Sequence, residues 1–283
     1  MMANQNPYSQ NKLIYHPDKL LQIREGKQPY PTHVLLVVSD LCNQDCHFCA
    51  YRMSGYINNE IFNIIQPDGS ENHNPNRMIP YTKLQQILYD CEEMGVKAIQ
   101  LSGGGEPTVH PQFGKYISEI LESGIDLGLV TNGLKLTGDV SEKMASSCWV
   151  RVSIDAATPE TYARTRNVSK DQFKRVAENI SRLASMNRKT TLGVGFVVTK
   201  ENYHELEEAC RLYKEWGVDY TRVSGFFQNE GAAYYQDIIG ELSDSCERVA
   251  ELNDGKYTVF NNFQDRLDDL EQGPPDYSYC GIM

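Results

Sequence analysis

No apolar run in these 283 residues approaches the roughly 20 residues that a membrane-spanning helix needs. The start, Met1 to Gln10, is polar rather than a charged stretch leading into a hydrophobic one. With neither a span nor an export signal, the expected location is the cytoplasm. Positive charge is scarce too: 27 Lys and Arg against 38 Asp and Glu leave a formal net charge of -11, and the basic residues form no patch. This argues against nonspecific nucleic-acid binding and against adhesion to an anionic membrane, both of which need clustered cations. A nucleotide-sized substrate stays open. The composition, 40% hydrophobic and 23% charged, is that of a globular chain with a large core. The length suits one α/β barrel-sized unit with an appendage.

Short apolar runs recur at Val34 to Val38, Ala98 to Leu101, Leu127 to Val130, Trp149 to Ile154, Leu192 to Val198 and Tyr220 to Phe227, and read as six strands. Helical stripes lie between them, with apolar residues three and four apart. One carries Leu84, Ile87, Leu88, Cys91 and Met94; a second Phe173, Val176, Ile180 and Leu183; a third Leu206, Ala209, Cys210, Tyr213 and Trp216. Thr158-Pro159-Glu160 has the form of a helix start, a side-chain cap followed by a proline whose missing N–H costs nothing there. Gly95 and Gly217 have the form of helix stops. Alternating strand and helix predict a parallel sheet with right-handed crossovers, open or curled into a barrel. The stretch from Tyr56 to Pro80 breaks the rhythm and reads as a lid or insertion, with Tyr51, Arg52 and Tyr56 as candidate substrate contacts. The last forty or so residues, with the acidic run Asp265 to Glu271 and the break at Gly273-Pro274-Pro275, are not expected to continue the alternation. The expected division is a lead-in over 1–32, a core over 33–227 with an insertion at about 56–80, and an extension over 228–283.

Eight cysteines without an export signal favour metal binding over disulfides. Cys42, Cys46 and Cys49 crowd into C-N-Q-D-C-H-F-C directly after the first strand, where one loop can wrap three thiolates around one centre. Soft thiolates at this density favour zinc or an iron–sulfur cluster. Three ligands leave the fourth iron of a cubane open to an exchangeable ligand. The alternative is a structural zinc site with His47 or a distant residue as fourth ligand, although such sites more usually show two spaced ligand pairs. Cys91, Cys148, Cys210 and Cys246 are expected to pack in the core.

Further motifs follow at successive strand ends: Ser102-Gly103-Gly104-Gly105-Glu106-Pro107, then Thr131-Asn132-Gly133, then Ser153-Ile154-Asp155. Ligands of parallel α/β folds bind at the carboxyl ends of the strands. The cysteine spacing with Phe48 before the last Cys, the G-G-E-P, the T-N-G and the S-x-D, in this order, resemble the radical S-adenosylmethionine (SAM) superfamily over about residues 33 to 227. The resemblance implies an α/β fold, a partial (β/α)6 TIM-like barrel with a 4Fe–4S cluster on Cys42, Cys46 and Cys49 at its open top. It places Gly104, Gly105 and Glu106 at the methionyl amino group of SAM, with Thr131 and Asn132 at the same end of the sheet. Ser153 and Asp155 fall to the ribose side, and Arg166, or else Arg164, to the cofactor carboxylate. Gly193 and Gly195 on the fifth strand are candidates for the adenine, or for a bulge or close packing.

Asn11 to Pro17 with Tyr30-Pro31 resembles the lead-in of members with a C-terminal SPASM or twitch region. Tyr277-Ser278-Tyr279-Cys280 resembles that region's first auxiliary ligand, so the region is expected to be truncated or absent. The resemblance implies reductive cleavage of SAM, with an electron from a donor such as flavodoxin or ferredoxin, and hydrogen abstraction by a 5′-deoxyadenosyl radical. A peptide is the expected substrate, with a carbohydrate or nucleoside as the alternative. From another class, the rivals are a noncatalytic zinc module and an iron–sulfur redox sensor.

Overall fold

The computed structural model describes residues 15–52, 63–65, 71–73, 77–228 and 230–264. Strand β1 (His33–Leu36) opens a sheet whose other members are β4 (Ala98–Leu101), β5 (Asp126–Thr131), β6 (Trp149–Ser153), β7 (Thr191–Val198), β8 (Tyr220–Gly225) and β9 (Thr258–Asn261). Each is parallel to its neighbours. The spatial order β1-β4-β5-β6-β7-β8-β9 is the order along the chain. Each crossover thus advances one strand in the same direction, the winding of a barrel; an open doubly wound sheet reverses its order partway. The first and last strands are not paired with each other, so the barrel is partial.

The strands alternate because the sheet has two different faces. Ile99 and Leu101, Leu127 and Leu129, Val150 and Val152, and Leu192, Val194, Phe196 and Val198 sit side by side in register and are at most 1% exposed. On this face pack the helices α2 (Tyr81–Glu93), α3 (Phe113–Ser123), α4 (Gly138–Met144), α5 (Pro159–Arg166), α6 (Asp171–Ser185), α7 (Leu206–Glu215) and α8 (Ile239–Ala250). Their stripes follow the expected three-and-four spacing: Leu84, Leu88 and Cys91 on α2, Phe173, Val176, Ile180 and Leu183 on α6, and Leu206, Ala209, Cys210 and Tyr213 on α7 are buried. Helix α1 (Pro17–Arg24) precedes the sheet and buries no residue. The inward face is more polar, with half-buried Gln100, Val130, Arg151, Ser153 and Gly195.

Local chemistry sets the boundaries. The Thr158 side chain accepts the Thr161 N–H at the start of α5, and Pro159 takes the first helical position. Gly95 and Gly217 end their helices at positive φ, 69° and 81°, which any other side chain would oppose.

Two expectations change. The alternation does not stop at 227: α8 crosses over and β9 adds a seventh parallel strand through the register Tyr220↔Thr258 to Val223↔Asn261. Tyr257 and Val259 supply its apolar anchors, in a run too short to stand out in the sequence. Cys148 is exposed, whereas Cys91, Cys210 and Cys246 are buried as expected; it falls in the turn before β6, not on a packed stripe. Of the insertion, Asn63–Ile65 and Glu71–His73 form an antiparallel pair, β2 and β3. The rest of the proposed lid, including Tyr56, lies outside the described residues, as do residues 1–14, the acidic run and Cys280. No helix among the described residues is long and apolar enough to cross a membrane.

Phe196 lies in the middle of the sheet's packed face and is 0% exposed. Phe196→Ala should therefore cost about 3–5 kcal/mol through lost burial and a residual cavity. Phe227→Ser, at a ring that is 64% exposed, should stay within about 0.5 kcal/mol. Urea denaturation of the two variants beside wild type checks both.

Candidate functional site

The loop that carries the three cysteines leaves β1 and is held from three directions. Beside it runs the end of the insertion: the Asp40 N–H donates to Arg77 O at 2.9 Å, the Ile79 N–H to Val38 O at 3.1 Å, and Arg77 Nε to Asp40 Oδ2 at 2.9 Å. Below it lies the glycine turn after β4, where the Gly105 and Glu106 N–H groups donate to Ser39 O and Leu41 O, each at 2.8 Å. This approach is the reason for glycine. A Cβ on Gly105 would stand 2.0 Å from Leu41 O, one on Gly104 2.6 Å from Val37, and one on Gly103 2.5 Å from the Tyr51 hydroxyl. The glycines were expected to admit a ligand; at their α-carbons they admit the cysteine loop itself. The side chain of Arg52 lies outside the described residues.

Glu106 was expected to present its carboxylate to an ammonium. It is 3% exposed, and its Oε1 accepts from Thr108 N at 3.1 Å, Thr108 Oγ1 at 2.6 Å and Thr131 Oγ1 at 2.6 Å. Oε2 accepts from Asn132 N at 2.7 Å. The side chain is thus a bracket between the ends of β4 and β5, with acceptor capacity left only on Oε2. Asn132, so held, donates from Nδ2 to Asn43 Oδ1 at 2.6 Å and lies 4.0 Å from Cys42 Sγ. The Gln44 N–H reaches the same sulfur at 3.4 Å.

The third support is the end of α5. Its last carbonyls, unsatisfied within the helix, accept from the loop: Arg166 O from Asp45 N at 3.1 Å and Thr165 O from His47 N at 3.2 Å. The Arg166 side chain turns inward, 3% exposed. Nε donates to Ile154 O at 3.1 Å, Nη1 to Gln44 Oε1 at 2.7 Å with Cys46 Sγ at 3.7 Å, and Nη2 pairs with Asp155 Oδ2. Asp155 is completely buried, holds a left-handed φ of 61°, and accepts the Val197 N–H on Oδ1 at 2.7 Å. Where the sequence set Asp155 toward the ribose, the structure buries it completely, with one partner on each oxygen and Arg166 as its ion-pair partner. Ser153, half-buried and in register with Gly195, keeps the inward position. Of the two arginines left open by the sequence, Arg164 points away and pairs with Glu201 at 3.6 Å, its side chain 53% exposed. A Cβ on Gly193 would stand 2.0 Å from the Tyr220 ring, whereas Gly195 faces only Arg151 and Ser153 at 3.8–4.0 Å. Of the two glycines, Gly195 alone leaves room for a ligand ring.

Several residues in this arrangement carry no motif of their own in the sequence. Gln44, 4% exposed, links Arg166 to the Tyr162 hydroxyl at 2.7 Å and to Gln172 Oε1 at 3.3 Å. Glu205 accepts from Ala157 N at 2.7 Å and from Thr158 Oγ1 at 2.8 Å, fixing the start of α5 from another crossover. The position of Gln44 inside the cysteine motif was the only available signal.

Burial pushes the Cys46 thiol up to about 11; Arg166 works against this and Asp155 adds to it. Burial likewise raises Asp155, opposed by Arg166 and the Val197 N–H. Among the described residues no three of His, Cys, Asp and Glu converge as a mononuclear metal site would need, whereas in a cubane each thiolate meets its own iron. Three half-buried soft donors, with N–H groups directed at two of their sulfurs, fit an iron–sulfur cluster.

Comparison with known proteins agrees. The model of the radical SAM superfamily matches residues 36–213. The tungsten-containing aldehyde ferredoxin oxidoreductase cofactor-modifying protein of Pyrococcus furiosus is 33% identical over 150 residues, 51% of this chain and 42% of that protein. Mycofactocin maturase MftC of Mycolicibacterium smegmatis is 29% identical over 181 residues, 63% of this chain and 44% of the maturase. These matches span less than half the length of either relative. The fold resembles that of Streptococcus suis SuiB bound to S-adenosylmethionine, with TM-score 0.64 and 16% identity over 98% of this chain and 61% of SuiB.

Gly105→Ala should force the glycine turn and the cysteine loop apart, costing about 1–3 kcal/mol. Less iron should be retained after anaerobic reconstitution than by wild type. Gly255→Ala, where a Cβ meets nothing within 4 Å, is the control.

Proposed function

The chain belongs to the radical SAM superfamily, and from that premise we propose that it is an enzyme that cleaves S-adenosylmethionine reductively at a 4Fe–4S cluster held by Cys42, Cys46 and Cys49. When bound, the cluster and cofactor supply an electron-driven cleavage to methionine and a 5′-deoxyadenosyl radical that takes hydrogen from a substrate. The observation that carries the reading is the clamped cysteine loop, bounded by the glycine turn, the Thr131-Asn132 corner and the end of α5, all at the carboxyl ends of parallel strands.

The protein's own residues bind, orient and enclose. Cys42, Cys46 and Cys49 would hold the cluster and, as three ligands, would leave one iron open to the cofactor. Gly104, Gly105 and Glu106 would bound the methionyl end, with Glu106 Oε2 the oxygen left to accept from its amino group. Thr131 and Asn132 keep that carboxylate and the Cys42 side of the loop in place. Ser153 would face the ribose, and the open side of Gly195 would face the adenine. The substrate enters from the polar inward face of the sheet.

We take the substrate to be a peptide. SuiB, whose fold this chain shares, has also been solved with its precursor peptide SuiA. The electron donor in this reading is a small redox protein such as flavodoxin or ferredoxin, and the cytoplasm is the compartment that suits an oxygen-sensitive cluster.

Anaerobic purification, reconstitution with iron and sulfide, and reduction should yield about four irons per chain and 5′-deoxyadenosine from S-adenosylmethionine. Replacing Cys42, Cys46 and Cys49 by Ala should abolish both. Bound zinc without cofactor cleavage in wild type would overturn the reading in favour of a structural module. Transfer of deuterium from a labelled peptide into 5′-deoxyadenosine would establish the substrate class; transfer only from a labelled nucleoside or sugar would replace it.

A further inference from the structure

Arg166 is the residue whose expected and observed surroundings differ most. An arginine that receives a cofactor carboxylate presents the two parallel N–H bonds of its fork. Here the fork is already engaged. Of the five N–H groups of a guanidinium, Nε faces Ile154 O, the two on Nη1 face Gln44 Oε1 and Cys46 Sγ, and one on Nη2 faces Asp155. The guanidinium is 3% exposed and its carboxylate partner fully buried. Aromatic faces close the remaining sides: the Tyr162 ring lies 5.2 Å and the Phe48 ring 5.8 Å from the guanidinium carbon. The direction of the pair matters as much as its burial. Asp155 binds Nη2 while the sulfur meets Nη1, so the positive group stands nearer to Cys46 than the negative one that anchors it.

We propose that Arg166 is a positioning residue for the cluster: fixed from behind by Asp155 and from the side by Gln44, it keeps a charged N–H donor on Cys46 Sγ and raises the cluster's reduction potential. The proposal rests on the assignment of Cys46 as a cluster ligand. One-electron reduction places an additional negative charge on the cluster and its sulfurs, and hydrogen bonds to those sulfurs are an established lever on the potential. A fixed donor held in a dry site acts without reorganising when the electron arrives. Asp155 opposes Arg166, so the two residues have effects of opposite sign. Gln44 bonds the same nitrogen that meets the sulfur and thereby aims it.

The test is the midpoint potential of the reconstituted cluster, followed by EPR during a redox titration without S-adenosylmethionine, in wild type, Arg166→Gln, Arg166→Lys and Asp155→Asn. Arg166→Gln should shift the oxidised-to-reduced ratio at a fixed potential at least tenfold toward oxidised, a fall of about 59 mV for a one-electron couple. Arg166→Lys, which restores the charge without the fork, should recover part of that shift. Asp155→Asn should move the potential the opposite way. Wild-type potentials in iron-replete variants, with only weaker binding of S-adenosylmethionine, would overturn the proposal and return Arg166 to the cofactor carboxylate. Should Arg166→Gln fail to fold, the opposed signs of Arg166→Lys and Asp155→Asn still decide; shifts of the same sign in both would mean general loosening and overturn it. No iron in wild type would overturn the cluster assignment and this proposal with it, whereas wild-type potentials in iron-replete variants overturn this proposal alone.

Discussion

A buried ion pair organises the end of the sheet where the chemistry is placed. Arg166 and Asp155 are both withdrawn from water, which is costly for each charge, and such a pair persists only when its remaining hydrogen bonds are satisfied as well. Here they are: Ile154 O and Gln44 serve the cation, and the Val197 N–H serves the anion. The loop after β1, the connection after β6 and strand β7 therefore meet in one charge pair, and the cysteine loop is fastened to the same helix end by two backbone hydrogen bonds. Removing either partner would leave an uncompensated buried charge, a defect of about 3–5 kcal/mol, felt directly at Cys46.

The winding of the sheet makes this convergence possible. Each strand follows its spatial neighbour in the chain, so every β-to-α loop emerges at the same end and adjoins the next. The cysteine loop after β1 meets the glycine turn after β4, that turn reaches the Thr131-Asn132 corner after β5 through Glu106, and the circuit continues through Asp155 and Val197. Glu106 does for the first half of the circuit what Asp155 does for the second. Both are acids used as acceptors for donors from a neighbouring strand end and are thereby fixtures of the frame, Glu106 with Oε2 still able to accept. The half of the molecule that packs on helices is apolar and alternates strictly; the inward half keeps its polar groups and glycines for whatever enters.

Much of this is legible in the sequence alone. The cysteine triplet, the glycine turn, T-N-G and S-I-D each mark a strand end, and the three-and-four stripes of α2, α6 and α7 follow from local apolar spacing alone. The cap at Thr158 and the glycine stops at Gly95 and Gly217 are also local, since they depend on residues within one turn. Tertiary structure decided what those motifs touch. Glu106 and Asp155 look like ligands because acids near a glycine turn or a strand end usually face solvent, and only the approach of Thr131, Asn132, Val197 and Arg166 makes them internal. Gln44 and Glu205 carry no periodic or compositional signal; their partners lie more than forty residues away. Strand β9 is a four-residue run that becomes a strand because β8 offers it an edge. The distinction is one of range: the sequence determined the donor set and the order of the loops, because both are written in neighbouring residues. The direction of each charge was settled only when strands distant in sequence came to lie side by side and removed water from between them.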